Sequence, residues 1–136
     1  MNDMVINKSQ SIQRCVKRAR EEHSAAGRNF STDYTRQDAA ILNMTRACEQ
    51  AIDLANHLIR KDKLGVPDES RRSFQLLGSA DVIPVDLAER LGRMVGFRNI
   101  AIHQDEDLDI DILVAVIEKD SQDLITFTEL ILKQYG

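Results

Sequence analysis

Tryptophan is absent from this 136-residue chain, aromatic residues make up only 4% of it, and proline appears twice. A core assembled without large rings has to be filled by Leu, Ile, Val, Met and Ala, and that palette favours helices over strands. Long apolar runs are also missing. No stretch approaches the roughly 20 apolar residues that a helix needs to cross a bilayer, and charged residues of both signs, 29% of the total, are interspersed along the chain. A soluble protein with no membrane partner is expected. The N-terminal stretch from Met1 to Lys8 has neither the basic start nor the continuous apolar segment of a secretory signal, which points to a cytoplasmic protein. The two cysteines agree: Cys15 and Cys48 sit among apolar neighbours in helical patterns and read as small structural hydrophobes in a reducing compartment. Neither a Cys/His/carboxylate cluster at metal-ligand spacing nor a Gly-rich phosphate loop is found, so no metal and no cofactor is expected. A surplus of positive charge is lacking too. The net charge of −4 excludes a surface built to hold long nucleic acid by bulk counterion release.

What remains is a chain with 43% hydrophobic residues, enough for one core and a single domain over residues 1–136 without disulfide or metal staples. Its apolar residues recur at helical spacing. The first helix is expected from about Asn2 to Ala26, with Val5, Ile12, Cys15, Val16 and Ala19 on one stripe and Gly27 ending it. Thr35 to Asp38 fits a capping box that opens a second, long helix reaching about Lys63. Two apolar rows on that helix, one through Met44, Cys48 and Ile52 and the other through Ala47, Ala51 and Leu58, imply burial on two sides. Gly65-Val-Pro67 breaks the chain before a short helix from about Ser70 to Leu77, and Pro84 suits the first position of a fourth helix towards Ile102. A fifth follows from about Leu108 to Gln134, with Ile110, Leu113, Val114, Ile117, Leu124, Thr128 and Ile131 on one stripe. The expected architecture is all-α, an antiparallel bundle of four main helices plus one short one.

Charge is unevenly placed. Lys8, Arg14, Lys17, Arg18 and Arg20 crowd the first helix, whereas Asp105, Glu106, Asp107, Asp109 and Asp111 form an acidic run. Both fit solvated helix faces and a helix N-terminus favoured by its dipole; both also fit local patches for a polyanion and for a basic partner. The fourth helix carries the sharper anomaly, because its core stripe Leu87, Ala88, Leu91, Met94, Val95 runs into Arg98. A buried cation is costly unless paired, so Arg98 either meets a carboxylate, with Glu49 or Asp53 as candidates, or lines a cavity that needs positive charge. A second row, Gly92, Gly96, Asn99 and His103, is nearly bare of side chains over its first half. Glycines disfavour a helix interior, so a backbone, a ligand or a second copy of the chain is expected to approach there, unless Gly96 merely loosens the helix. Arg98 and His103 are five residues apart, about 140° around an unbroken helix. They converge only if the helix unwinds near His103 or if two copies face each other across a two-fold axis.

The stretch Gly96-Phe-Arg-Asn-Ile-Ala-Ile-His103 resembles the Arg-polar-x-x-x-His signature of HEPN domains, and more narrowly of the HepT-like toxins paired with minimal nucleotidyltransferase (MNT) antitoxins. Ile41 to His57, Gly65-Val-Pro67 and Ser73-Phe74 are similar to the same family, so the resemblance covers nearly the whole chain. It implies a HEPN-like fold and a metal-independent endoribonuclease, active as a homodimer with its two motifs at the subunit interface. By the same resemblance His103 is the base that deprotonates the RNA 2′-hydroxyl, Arg98 stabilises charge on the phosphate and Asn99 orients either one. One position departs from the pattern. Many HepT-like toxins carry a tyrosine two residues after the motif histidine, on which the antitoxin places AMP; Asp105 stands there in this chain, so that AMP acceptor is absent. A rival reading is a non-catalytic partner that presents nucleotide or substrate to a nucleotidyltransferase, with Arg98 holding phosphate and His103 not titrating; it predicts saturable nucleotide binding without loss of RNA.

Overall fold

A computed structural model describes residues 2–102 and 108–136 of the chain. The described residues form α1 (Asp3–Ala26), α2 (Tyr34–Asp62), α3 (Ser70–Ser79), α4 (Val85–Ile102), α5 (Ile110–Ala115) and α6 (Ser121–Tyr135), and include no strand. A 3-10 turn, Gly27–Asn29, follows α1, and a π-helical turn, Val116–Asp120, joins α5 to α6. Backbone angles stay right-handed helical through Ala115, Val116 and Ser121, so α5, the π turn and α6 make one rod. The all-α order of four long helices and one short one matches the periodicity of the sequence.

Helix boundaries follow local chemistry, with two shifts from expectation. The N-cap of α2 is Asp33, whose Oδ1 accepts the Arg36 backbone N–H at 3.1 Å, and Thr35 already lies inside the helix. Asp33 offers a stronger acceptor than a threonine two positions on. The Arg36 guanidinium also reaches Glu22 of α1 at 2.9 Å, fixing the start of α2 against the end of α1. Pro84 stands just before α4 rather than inside it, and its carbonyl accepts the Ala88 N–H at 3.0 Å.

Helix α2 is the spine of the fold, packed against α1, α3, α4 and α6. Ala40, Ala47, Ala51 and Ala55 are fully buried along it beside Met44, Cys48, Leu54 and Leu58, which is the two-sided burial that its double apolar row implies. Small side chains let neighbouring helices approach closely. The α1 stripe Val5, Ile12, Cys15, Val16 and Ala19 faces this spine, and Phe74 of α3 meets Phe127 of α6 edge-on, with ring centroids 5.7 Å apart. Val116, Ser121 and Phe127 are buried although the apolar stripe read on the fifth helix omits them. Ser121 is tolerated because its hydroxyl donates to the Ile117 carbonyl at 2.7 Å and accepts two N–H groups of Arg20, at 3.1 and 2.9 Å. Both cysteines are buried free thiols, and among the described residues no helix is long and apolar enough to cross a membrane.

Phe127→Ala removes one member of the ring pair from the fully buried core and is expected to lower the unfolding free energy by about 3–5 kcal/mol in a urea melt. A loss below about 1 kcal/mol would mean that the core closes over the gap.

Candidate active site

The C-terminal half of α4 carries the anomaly seen in the sequence. Arg98 projects from the core-facing side of the helix, and its side chain is 17% exposed. One terminal nitrogen, Nη1, lies 3.3 Å from Glu49 Oε1 on α2, and the other, Nη2, donates to Ser70 Oγ at 3.1 Å in the first turn of α3. Of the two expected carboxylates Glu49 is the partner; Asp53 takes the Lys8 ammonium at 3.4 Å instead. The buried Nε of Arg98 has no hydrogen-bond partner among the described residues. A guanidinium offers five N–H donors in one plane, and here two fix its orientation while others stay available.

Arg98 also opens on a cavity, so both alternatives read for it hold. A pocket of about 410 Å³ is lined by Glu69, Ser70, Arg71, Val95, Arg98 and Asn99. Asn99, the next residue on α4, is exposed and borders it. The structure thus brings Arg98 and Asn99 together. His103 and Asp105 lie outside the described residues, and α4 is described as far as Ile102.

Of the approaches left open for the bare glycine face, the described residues show one from within the same chain, over Gly92. The side chain of Arg71 lies across Gly92 and Gly96. Its Nε donates to the Gly92 carbonyl at 3.1 Å, and a Cβ on Gly92 would meet Arg71 Cγ at 3.1 Å. A Cβ on Gly96 would lie 3.7 Å from Arg71 Nη2. A methyl at 92 would make the arginine stem give by a few tenths of an ångström. Beyond Arg71 lies a second cavity of about 400 Å³, with Arg90 and Arg93 on its rim and Phe97, Ile100 and Ile112 among its apolar walls. The sequence shows that something approaches Gly92; which residue approaches depends on how α3 crosses α4, which no local spacing encodes.

A wider depression, about 670 Å³ between α1 and α6, lies away from Arg98. Two of its polar side chains are already engaged within the fold, Gln13 with Thr128 and Arg20 with Ser121. The smaller pocket, where charge is held ready, is therefore the better candidate. Among the described residues no three His, Cys, Asp or Glu side chains gather as a metal cluster.

Behind Arg98 sits Cys48. Burial pushes its thiol up from 9.0 to about 12, opposed in part by the positive charge of Arg98 and reinforced by Glu49. At neutral pH it is a protonated, apolar filler.

The sequence profile of the family described as Ribonuclease HepT-like matches residues 12–131. The chain is 44% identical over 131 residues to the mRNA nuclease HepT of Shewanella oneidensis, a match covering 96% of this chain and 98% of the relative. Its fold superposes on the tri-AMPylated Shewanella oneidensis HEPN toxin, solved in complex with an MNT antitoxin, with a TM-score of 0.92 at 42% identity, over 98% of this chain and 99% of the toxin. A toxin-antitoxin crystal structure with AMP-PNP gives a TM-score of 0.92 at 42% identity, over 97% of this chain and 99% of the solved one.

The thiol of Cys48 sets a pH dependence with a definite sign. In the unfolded chain it ionises near its ordinary value of 9.0, whereas the folded protein holds the proton up to about 12. The preference for the folded state is therefore complete below pH 9 and is lost as pH rises towards 12. Tyr135, raised from 10.0 to about 12 by desolvation and its hydrogen bond to Asp62, acts in the same direction. The urea midpoint is expected to fall on going from pH 8 to pH 10.5, and to fall less in Cys48→Ala. A midpoint that rises over this range contradicts the assignment.

Proposed function

This chain belongs to the ribonuclease HepT-like family, the toxin side of HEPN/MNT toxin-antitoxin pairs, and on that footing we propose that it is a metal-independent endoribonuclease, one domain over residues 1–136, that cuts cytoplasmic RNA as a homodimer. The substrate class follows the mRNA nuclease relative. The observation that carries the reading is Arg98: a permanent cation held on the inner side of α4 by Glu49 and Ser70, facing a pocket that Asn99 also borders.

In this reading His103 removes the proton of the 2′-hydroxyl next to the scissile phosphate. The 2′-oxygen attacks phosphorus, the bond to the 5′-oxygen breaks, and that oxygen leaves with a proton taken from the imidazolium or from solvent. The products are a 2′,3′-cyclic phosphate and a 5′-hydroxyl. Arg98 offers N–H donors to the phosphate oxygens as negative charge builds on them. Asn99 supplies a neutral amide to orient substrate or base. An imidazole titrating near neutrality accepts and returns protons at working pH, and this contributes roughly 10²- to 10⁴-fold.

The second copy is seated on the exposed apolar side chains beside this site. Ile100 and Ile112 are each 47% exposed and wall one cavity between α4 and α5, and apolar surface of this kind marks an association site. The family partner is an MNT nucleotidyltransferase, and the Shewanella oneidensis toxin was solved with both that antitoxin and AMP groups. With Asp105 in the position of the family's acceptor tyrosine, control in this chain proceeds by docking of the antitoxin rather than by AMP transfer to that residue.

Purified protein is expected to cleave RNA in the presence of a chelator, and His103→Ala to lower the rate by about 10²- to 10⁴-fold with an unchanged circular dichroism spectrum. Cleavage at the wild-type rate by that variant removes the mechanism. Ile112→Glu places a charge in the apolar patch; light scattering should find monomers, with RNA cleavage reduced alongside. A monomer that cleaves at full rate would detach the site from the second copy.

A further inference from the structure

Arg71 belongs to neither the signature nor the core, yet α4 leaves a side chain out at Gly92 where its stem passes. We propose that Arg71 is a substrate-binding residue that seats the RNA phosphate adjacent to the scissile one, an assignment that rests on the ribonuclease reading above. Four observations carry it.

First, its position is built. The stem lies on the surface that Gly92 leaves open, and the Nε bond to the Gly92 carbonyl, 3.1 Å long, fixes the plane of the guanidinium. A solvated arginine needs neither feature. Second, the charge has no carboxylate partner among the described residues. Arg36, Arg90 and Arg98 each lie within 3.3 Å of a carboxylate oxygen; Arg71 does not, although Glu69 lines the same pocket. With Nε engaged by Gly92, neither terminal nitrogen has a hydrogen-bond partner among the described residues, and in this reading both meet a phosphate. Third, Arg71 is shared. It lines the 410 Å³ pocket with Arg98 and Asn99, and it also lines the 400 Å³ cavity on its other side. A strand that places one phosphate at Arg98 meets the Arg71 fork within the same pocket. Fourth, Ser70 and Arg71 are the first two residues of α3, so the positive end of that helix dipole adds to the field in the same pocket.

A planar fork matches the paired oxygens of a phosphate better than it matches a base edge in a single strand. The contact therefore positions the strand without reading its sequence. This explains how a chain of net charge −4 holds a polyanion. Two oriented guanidiniums at one pocket act locally, where bulk counterion release is unavailable.

The test compares wild type, Arg71→Met and Arg71→Lys in steady-state cleavage of a fluorescent single-stranded RNA across a series of salt concentrations, with thermal melts of each protein. Methionine keeps an apolar stem over Gly92 and removes the charge; lysine keeps the charge and removes the fork. For Arg71→Met, KM is expected to rise about tenfold or more with kcat little changed. The slope of log(kcat/KM) against log salt should become shallower by about 0.7, the value of one single-strand phosphate contact. Arg71→Lys should keep the wild-type slope with an intermediate KM. If wild type cleaves while Arg71→Met keeps the wild-type KM and slope, the Arg71 assignment falls and the ribonuclease reading stands. The assignment falls equally if both variants lose melting temperature and activity together with no change of slope, because that marks a strap holding α3 to α4. A wild-type protein that leaves RNA intact overturns the ribonuclease reading itself.

Discussion

A guanidinium on the inner face of α4 is the constraint around which the neighbouring parts of this fold are arranged. Arg98 replaces the aliphatic residue that the stripe Leu87, Leu91, Met94, Val95 would continue with, and it is held by Glu49 from α2 and Ser70 from α3. Pairs of this kind are poor stabilisers. Desolvation of both ions offsets most of their attraction, and apolar replacements of similar size are often neutral or better. The geometry here is not optimised for stability either: the Glu49 contact is 3.3 Å long, and the buried Nε has no partner among the described residues. The pair does more to hold the guanidinium at the pocket wall than to stabilise the fold. The contacts to Glu49 and Ser70 are then best understood as orientation, since they fix the plane in which the remaining N–H groups are offered.

The same helix divides its surface among three tasks. One face, through Leu87, Leu91 and Met94, closes the core, and a second, through Gly92 and Gly96, takes the Arg71 side chain from α3. A third, at Arg98 and Asn99, opens on the pocket. Helix α3 packs on α4 so closely that a Cβ on Gly78 would lie 3.0 Å from the Ala88 methyl. The distance between Ser70, Arg71 and Arg98 is therefore set by helix packing rather than by a loop. A site for a flexible polyanion benefits from that rigidity, since the protein gives up little conformational freedom on binding.

Much of this was legible before any coordinates. Helical periodicity located all the helices, and the double row on α2 showed its central position, because burial on two faces demands apolar residues on both. Arg98 stood out for a physical reason: a charge on a core stripe has to be paid for by a partner or a ligand, and Glu49 was one of two carboxylates at the right depth. What was not legible depended on the angle between elements distant in sequence. Arg71 looks like one of two arginines in the exposed first turn of a short helix, and only the crossing of α3 over α4 lays its stem along Gly92. Ser121 and Phe127 were misplaced for a different reason. Ser121 reads as polar until Arg20 and the Ile117 carbonyl are seen to satisfy its hydroxyl, and the π turn at Val116–Asp120 takes the rod out of the regular 3.6-residue register on which the stripe was drawn.

The glycine row shows how far such reasoning reaches. Missing side chains on a helix face establish that something comes close; they do not distinguish a second copy, a ligand or the chain itself. Here the side chain that comes close is Arg71, over Gly92, while Gly96 has only the tip of the same guanidinium at 3.7 Å. Apolar area left in water is a separate signal from a bare helix face. Ile100 and Ile112 carry it, each about half exposed on the walls of one cavity beside the C-terminal half of α4. A glycine row reports a close approach already made within the fold, whereas exposed isoleucines report contact area that the fold itself leaves unused.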